Sequence, residues 1–325
     1  MNDDSTILKR LSQQAQVQPR RIIFPEQDDP RVQQAAATLA KESWAIPVFL
    51  RAEKTLSPHI EYFENLPNAE EWRNKAVDFY VQKQHKKQMT PAQAKVELEN
   101  PLLLAAVLLS LGYIDLGIAG SVATSAEVIK ASLRGIGLAP NAILLSSAFL
   151  MALPNRCLSY ADCAVNPSPD SAQLAQIAID TAASHLALTR ETPKVAMLSF
   201  STKGSAEHED VSKVREAVAI VRKRKPDLLV DGELQFDAAF VPDVAASKAK
   251  ESDVAGKANV FVFPDLNSGN IAYKITQRLG GAHAIGPYLQ GLAKTWLDLS
   301  RGCSSEDIVN AALIGSALTL AYSKP

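Results

Sequence analysis

The sequence predicts an α/β chain of two domains with mostly parallel sheets and flanking helices. Three observations carry this expectation. Short apolar runs alternate with helical segments of about ten residues or more, the pattern of strands joined by right-handed crossovers. The length of 325 residues exceeds what one hydrophobic core usually serves. The composition is that of an ordinary globular chain, 47% apolar and 21% charged with a formal net charge of −1, which excludes disorder and fibrous classes. Near-neutral charge without a basic block also lacks the footprint of a nucleic-acid binder.

The elements follow in order. Residues 21–24 read as a first strand that stops at Pro25. Asp29 and Pro30 open a helix through Lys41, with proline in its first turn. Residues 45–50 are a second strand, weakened by Pro47. Residues 70–88 form a polar, exposed helix, and Thr90 caps a short helix that begins at Pro91. Residues 101–111 read as a buried helix, 115–119 as a strand and 124–135 as a helix. An apolar strand region covers 143–153, and composition changes most near Pro154, which suggests a domain boundary there. Beyond it come a helix at 171–188, a strand at 194–200, a helix at 210–224 and strands at 228–231 and 259–263. Helices at 269–279 and 304–321 close the chain.

Met1-Asn-Asp-Asp is acidic where a signal peptide carries positive charge. The apolar stretch 101–122 is interrupted by Ser110, Gly112 and Asp115, whereas a spanning helix needs about 20 apolar residues in a row. The expectation is a soluble, cytoplasmic protein without a membrane partner.

Open α/β sheets bind ligands at the carboxyl ends of their strands, so the strand-to-helix loops hold the chemistry. The loop from Gly117 to Glu127 offers glycine and the hydroxyls of Ser121, Thr124 and Ser125 at a helix start, where free N–H groups favour an anion. Lys130 and Arg134 share one face of that helix. The same hydroxyls also suit plain helix capping. The loop after Ser199, with Ser201, Thr202, Lys203 and Gly204, suits a phosphate or a nucleotide tail, though its spacing is not that of a Walker loop. Asp231, Glu233 and Asp237 form an acidic cluster after a strand, read as hydrogen bonding between domains ahead of a hard-metal site. In the last loop Ser304 and Asp307 fit a capping box, while Ser300 and Arg301 precede it. Cys157, Cys163 and Cys303 form neither a disulfide framework nor a zinc set, and the five histidines show no ligand spacing. Cys303 reads as a small buried residue.

The last segment, Leu299-Ser-Arg-Gly-Cys-Ser-x-Glu-Asp-Ile, resembles the carboxyl-terminal signature of phosphotransacetylases (phosphate acetyltransferases). The likeness extends through Tyr160-Ala-Asp-Cys-Ala-Val-Asn-Pro, Val195-Ala-Met-Leu-Ser-Phe-Ser and Asp231-Gly-Glu-Leu-Gln-Phe-Asp-Ala-Ala. It continues in Gly256-Lys-Ala-Asn-Val, Phe263-Pro-Asp-Leu-Asn-x-Gly-Asn and Gln277-Arg-Leu-Gly-Gly-Ala. Long motifs in order are a specific signal. Phe236-Asp-Ala-Ala-Phe-Val-Pro is most similar to the ethanolamine-utilisation type.

The resemblance implies reversible acetyl transfer between acetyl phosphate and coenzyme A in a homodimer. It implies two α/β domains like those of isocitrate and isopropylmalate dehydrogenases, with the active-site cleft between them. The expected domains are residues 1–146 plus 291–325, and 147–290. Ser300, Arg301 and Asp307 map onto the catalytic set. Lys130 and, roughly, Lys83 map onto phosphate binding; Arg134, Ser121, Thr124 and Ser125 are the further acyl phosphate contacts expected of the first loop, and Ser201, Thr202, Lys203 and Cys163 the expected coenzyme A contacts. No metal or redox cofactor is implied; coenzyme A enters as a substrate. Monovalent-cation stimulation, acetate kinase as a functional partner and association with a bacterial microcompartment are left open.

Two departures stand out. Many relatives carry Arg where this chain has Lys130 and Lys83, and Lys offers a point charge in place of a planar fork. Many carry His where this chain has Ala123. Arg134, one turn on, is the expected substitute for the fork. Alternatives are a non-catalytic, ligand-sensing protein, a preference for propionyl or butyryl groups, and a metal-dependent dehydrogenase on a similar scaffold. The last lacks its G-x-G-x-x-G fingerprint.

Overall fold

Prolines and capping side chains decide where several helices start. The computed structural model describes residues 4–52 and 59–322. Helix α1 (Asp4–Val17) has no counterpart in the pattern-based expectation. Strand β1 (Arg20–Ile23) leads to α2 (Pro30–Lys41). Asp29 caps α2 by accepting from the Arg31 amide at 2.9 Å, and Pro30 sits where its missing N–H costs nothing. Next come β2 (Ala45–Phe49) and β3 (Glu61–Tyr62). β3 pairs with Val48 and Phe49 alone, so Pro47 has no ladder partner on that side.

Helix α3 (Ala69–Lys83) stops before the expected Gln88, and Ala76, Val77 and Tyr80 bury one side of it. Gln88 itself has φ 51°, a left-handed geometry that cannot extend the preceding 3-10 turn. A capping box between Thr90 and Gln93 opens α4 (Pro91–Glu97), and Asn100 caps α5 (Pro101–Ser110). Residues 102–109 of α5 are all buried, which accounts for its apolar run without a membrane. Among the described residues no helix is long and apolar enough to cross one.

The chain continues through β4 (Leu116–Ala119), α6 (Ser125–Gly135), β5 (Ser146–Leu153), β6 (Arg156–Ala161) and α7 (Ser171–Thr189). It goes on through β7 (Lys194–Leu198), α8 (Glu209–Arg224), β8 (Leu229–Leu234), α9 (Phe236–Phe240) and α10 (Pro242–Lys248). Last come β9 (Val260–Val262), α11 (Leu266–Arg278), β10 (His283–Gln290), β11 (Trp296–Asp298) and α12 (Ser305–Tyr322).

These elements form two compact units, Leu8–Pro140 with Leu292–Pro325, and Asn141–Gly291 with Met1–Ile7. In the first, the strand order is β3-β2-β1-β4-β11 and every pair is parallel. In the second it is β10-β5-β6-β9-β7-β8. There β5 runs antiparallel to β10 and β6, and the other pairs are parallel. The α/β class with mostly parallel strands is therefore as the alternation predicts. The antiparallel part is new: Pro154 and Asn155 turn the β5–β6 hairpin, so the composition change there marks a turn. β10 and β11 escape the pattern because Gly286-Pro287 breaks the period of one and the other is three residues long. β8 runs to Leu234, which places Asp231 and Glu233 inside the strand, not after it.

The core of the second unit gathers aromatic rings around Phe261. Tyr160 meets it edge-on at 5.6 Å, and Phe149 stacks on Tyr273 at 4.2 Å. In the first unit the fully buried Trp296 lies over Gly117, its register partner. A Cβ on Gly117 would stand 2.3 Å from the indole ring. Gly117→Ala should therefore lower stability by about 1–3 kcal/mol, the usual cost of overpacking, measured by urea unfolding.

Candidate active site

The loop between β4 and α6 presents backbone N–H groups, as expected of an anion site, but the chain fills it itself. The Glu26 carboxylate accepts from the amides of Gly120 (2.7 Å), Ser121 (2.8 Å), Val122 (3.0 Å) and Ala123 (2.6 Å), and from the Ser121 hydroxyl at 3.1 Å. Ser121 is buried beneath this contact. Thr124 caps α6: the Glu127 amide donates to its hydroxyl, and its own amide and hydroxyl donate to Glu127 Oε2 at 2.8 Å. The Thr124 amide and hydroxyl hold the Glu127 carboxyl below its ordinary range. Ser121 and Thr124 thus serve loop and helix first, and the expected anion at this nest is a protein carboxylate.

Beside this loop stands the turn between β11 and α12. The Gly302 amide donates to Ser300 Oγ at 3.3 Å, and the Cys303 amide to the Ser300 carbonyl at 2.9 Å. Ser304 and Asp307 form the expected capping box: the amide and hydroxyl of Ser304 donate to Asp307 Oδ2 at 2.8 and 2.9 Å, and the Asp307 amide returns to Ser304 Oγ at 3.1 Å. Asp307 Oδ1 has no hydrogen bond among the described residues. Ser300, Arg301 and Asp307 are all exposed. Arg31, which the sequence reading passed over, ties this turn to the α6 loop. Its Nη1 donates to the carbonyls of Arg301 (2.9 Å) and Cys303 (2.7 Å), and its Nη2 to the Ser121 carbonyl at 2.8 Å. Asp29 holds the guanidinium from behind at 2.7 Å, and Arg31 in turn holds the Asp29 carboxyl below its ordinary range. Cys303 is buried, and burial pushes its thiol up, so it is inert.

The four expected phosphate cations divide into two kinds. Arg301 and Lys130 are exposed and make no side-chain ion pair or hydrogen bond among the described residues. Arg301 faces Glu127 at the start of α6. The other two are committed. Arg134 pairs with Glu97 and lies over the Tyr80 ring at 5.6 Å, so it is not the free fork expected. Lys83 donates to the carbonyl of Ile136, the C-cap of α6, and burial lowers its pKa. It closes a helix end, a task that needs a point charge, not a phosphate fork.

In the second unit Ser201 and Thr202 are buried. Ser201 Oγ donates to Glu233 Oε1 at 2.9 Å, and Thr202 Oγ1 accepts from the Gln235 amide at 2.9 Å. Lys203 pairs with Asp231. Cys163 is fully buried, with its thiol pushed well up by burial, and cannot face a ligand from there. The expected coenzyme A set is therefore mostly the underside of a loop, with Lys203 and Gly204 on its exposed face. The acidic cluster is also resolved. Asp231 has Lys203 and Arg222, Glu233 has Arg215, and Asp237 has Lys248, all within the same unit. Each carboxylate meets its own cation, which leaves neither the interdomain bonding nor the shared metal considered for them. Burial pushes Glu233 up, but Arg215, the Gly204 amide and Ser201 outweigh it and hold the carboxyl at about 2.

Comparison with known proteins gives a consistent picture. The profile of the phosphate acetyl/butaryl transferase family matches residues 6–316. The phosphate acetyltransferase of Clostridium acetobutylicum is 43% identical over 323 residues, 95% of this chain and 97% of that protein. That of Deinococcus radiodurans is 44% identical over 92% of this chain, which spans only 43% of the longer relative. Among solved structures, the EutD phosphotransacetylase of Staphylococcus aureus superposes with a TM-score of 0.89 at 37% identity, covering 98% of this chain and 100% of that one. A 4-hydroxythreonine-4-phosphate dehydrogenase from Klebsiella pneumoniae, 12% identical with a TM-score of 0.52 over 92% of this chain and 98% of its own, shares the fold.

Two stability experiments test the internal carboxylates. Glu26→Ala strips the nest of its acceptor and should cost about 1–3 kcal/mol in urea unfolding; Glu26→Gln should recover only part, since one amide oxygen replaces two. Glu233→Gln should cost most at neutral pH. The wild-type carboxylate ionises near 4.5 unfolded and about 2 folded, so its advantage is full above pH 4.5 and fades towards pH 2. The gap between variant and wild type should close over that window.

Proposed function

This chain belongs to the phosphate acetyl/butaryl transferase family, and from that premise we propose that it moves an acetyl group reversibly between acetyl phosphate and coenzyme A. The step is direct thiolate attack on the acyl phosphate carbonyl within a ternary complex. The observation that carries this reading is local. Ser300, Arg301 and Asp307 share one capped turn, tied by Arg31 to the loop before α6, and Arg301 and, on α6, Lys130 are cations uncommitted among the described residues.

The thiol of coenzyme A resembles that of free cysteine, with a pKa of about 8.5, so only a few percent is thiolate at neutral pH. Asp307 takes its proton. Ser304 occupies Oδ2, so the open Oδ1 is the oxygen that receives it. The carbon–sulfur bond forms as the carbonyl becomes a tetrahedral oxyanion, to which Ser300 donates. The carbon–oxygen bond to phosphate then breaks. Arg301, with Lys130, holds the phosphoryl oxygens and steadies the departing charge. Lys130 contributes a point charge, so the planar fork falls to Arg301 alone. No acetyl-enzyme is needed, because holding both substrates together supplies the remaining advantage.

Coenzyme A is a substrate in this scheme, with the exposed Lys203–Gly204 face of its loop as its contact in the second unit. Cytoplasmic placement, association with a bacterial microcompartment, acetate kinase as a partner in acetyl phosphate turnover and monovalent-cation stimulation belong to the same proposal. So does a homodimer: Ile271 and Ile275 of α11, with Leu279 at its end, expose an apolar stripe suited to a second copy.

Thioester absorbance with acetyl phosphate and coenzyme A tests the reading, and double-reciprocal lines should converge. Parallel lines, or acetyl label trapped on the protein, would contradict the ternary complex. Asp307→Asn should lower kcat by about 10²–10⁴ with the fold retained. Lys130→Ala should raise the acetyl phosphate KM by about tenfold or more. Arg134→Ala should leave that KM unchanged and lower stability instead, because its partner is Glu97. Rates with propionyl and butyryl phosphate measure the acyl preference.

A further inference from the structure

Asp298 ends β11 and precedes Leu299, Ser300 and Arg301. The residue is 2% exposed and its carboxylate has no lysine or arginine partner among the described residues. Oδ1 is buried without a hydrogen bond. The groups around it come from each neighbouring element. Ser125, at the start of α6, and Glu26, on the segment after β1, are the polar and charged side chains that act on the carboxylate. β4 contributes backbone: Leu299 N donates to Ala119 O at 2.7 Å. α12 reaches β11 through Gly315, packed against Leu297. Gly120, with φ 105°, is pressed so close that a Cβ there would stand 2.6 Å from Asp298 Oδ1 and from Leu299 O.

A buried, half-satisfied carboxylate beside a second carboxylate costs stability, and such a group next to a reactive turn points to use in the reaction. We propose that Asp298 is a positioning residue for acyl transfer. It pins the Gly120–Ser125 segment to the turn of Ser300 and Arg301, so that Ser300, Arg301 and Lys130 meet one acyl phosphate. The proposal rests on the function given above and concerns the same site.

Burial raises the Asp298 carboxyl to about 6; Ser125 opposes the rise and Glu26 adds to it. Above that pH the carboxylate attracts the Ser125 hydroxyl. Below it the neutral acid holds Ser125 less firmly and the helix start loosens from the turn. The kcat profile therefore carries an acid limb near pH 6 that belongs to Asp298.

The test follows kcat and KM for acetyl phosphate across about pH 5 to 8 in the wild type, Asp298→Asn and Ser125→Ala, with melting temperatures alongside. Asp298→Asn should lower kcat by about tenfold or more, abolish the limb near pH 6, and melt at or above the wild type at neutral pH, having lost a buried charge. Ser125→Ala removes the donor that holds the pKa down, so its limb should move to higher pH. Asp298→Asn with unchanged kcat and an unmoved limb overturns the proposal. If that variant instead melts well below wild type, Ser125→Ala decides: a limb left in place overturns it too. A wild type that forms no thioester at any pH sinks the functional reading itself, an outcome distinct from both.

Discussion

Glu26 supplies the negative charge that the start of α6 would otherwise draw from solution. Four backbone N–H groups converge there, and the helix adds its own partial positive charge. A mobile anion would have to displace a carboxylate already held by five donors. In the proposed function the substrate phosphate is gripped further along, by side chains that have nothing else to hold. Arg31 completes the arrangement, since its two amino groups reach the α6 loop and the turn of Ser300 and Arg301 at once. The placement of the reactive turn thus follows from one carboxylate and one guanidinium that need never touch substrate.

The second unit repeats the device. Glu233 closes the loop of Ser201 and Gly204 with the same mixture of amide and hydroxyl donors, and Arg215 neutralises it. In both units a strand-to-helix loop is set by a carboxylate from another segment. What the loops then offer to solvent is their outer faces. This division separates cations that build the fold, such as Lys83 and Arg134, from Lys130 and Arg301, which the proposed function assigns to the substrate.

Asp307 stands on both sides of that division. One carboxylate oxygen serves Ser304 and the helix start, and the other is open. Capping fixes the direction of the open oxygen, which the general base proposed here requires. The arrangement favours placement. That suits a reaction whose advantage comes mainly from holding two substrates in register.

Several features were legible in the residues alone. Asp29-Pro30, Thr90-Pro91, Asn100-Pro101 and Thr124 start helices because short-range hydrogen bonds and proline's fixed φ act within a few residues. The alternation of apolar runs determined the α/β class, and the long motifs around Ser300, Arg301 and Asp307 determined the family. Local pattern also explains what went unread: β6, β10 and β11 are too short or too interrupted to show a period of their own. Only the tertiary structure decided which cations are spent and which are free. Arg134 and Lys130 sit one turn apart on the same helix with the same charge, and Glu97, from another helix, commits one of them. Likewise nothing near Gly120 in the chain announces Glu26 or Asp298, because a carboxylate's partners are chosen by distance in space and by burial, which sequence spacing does not encode.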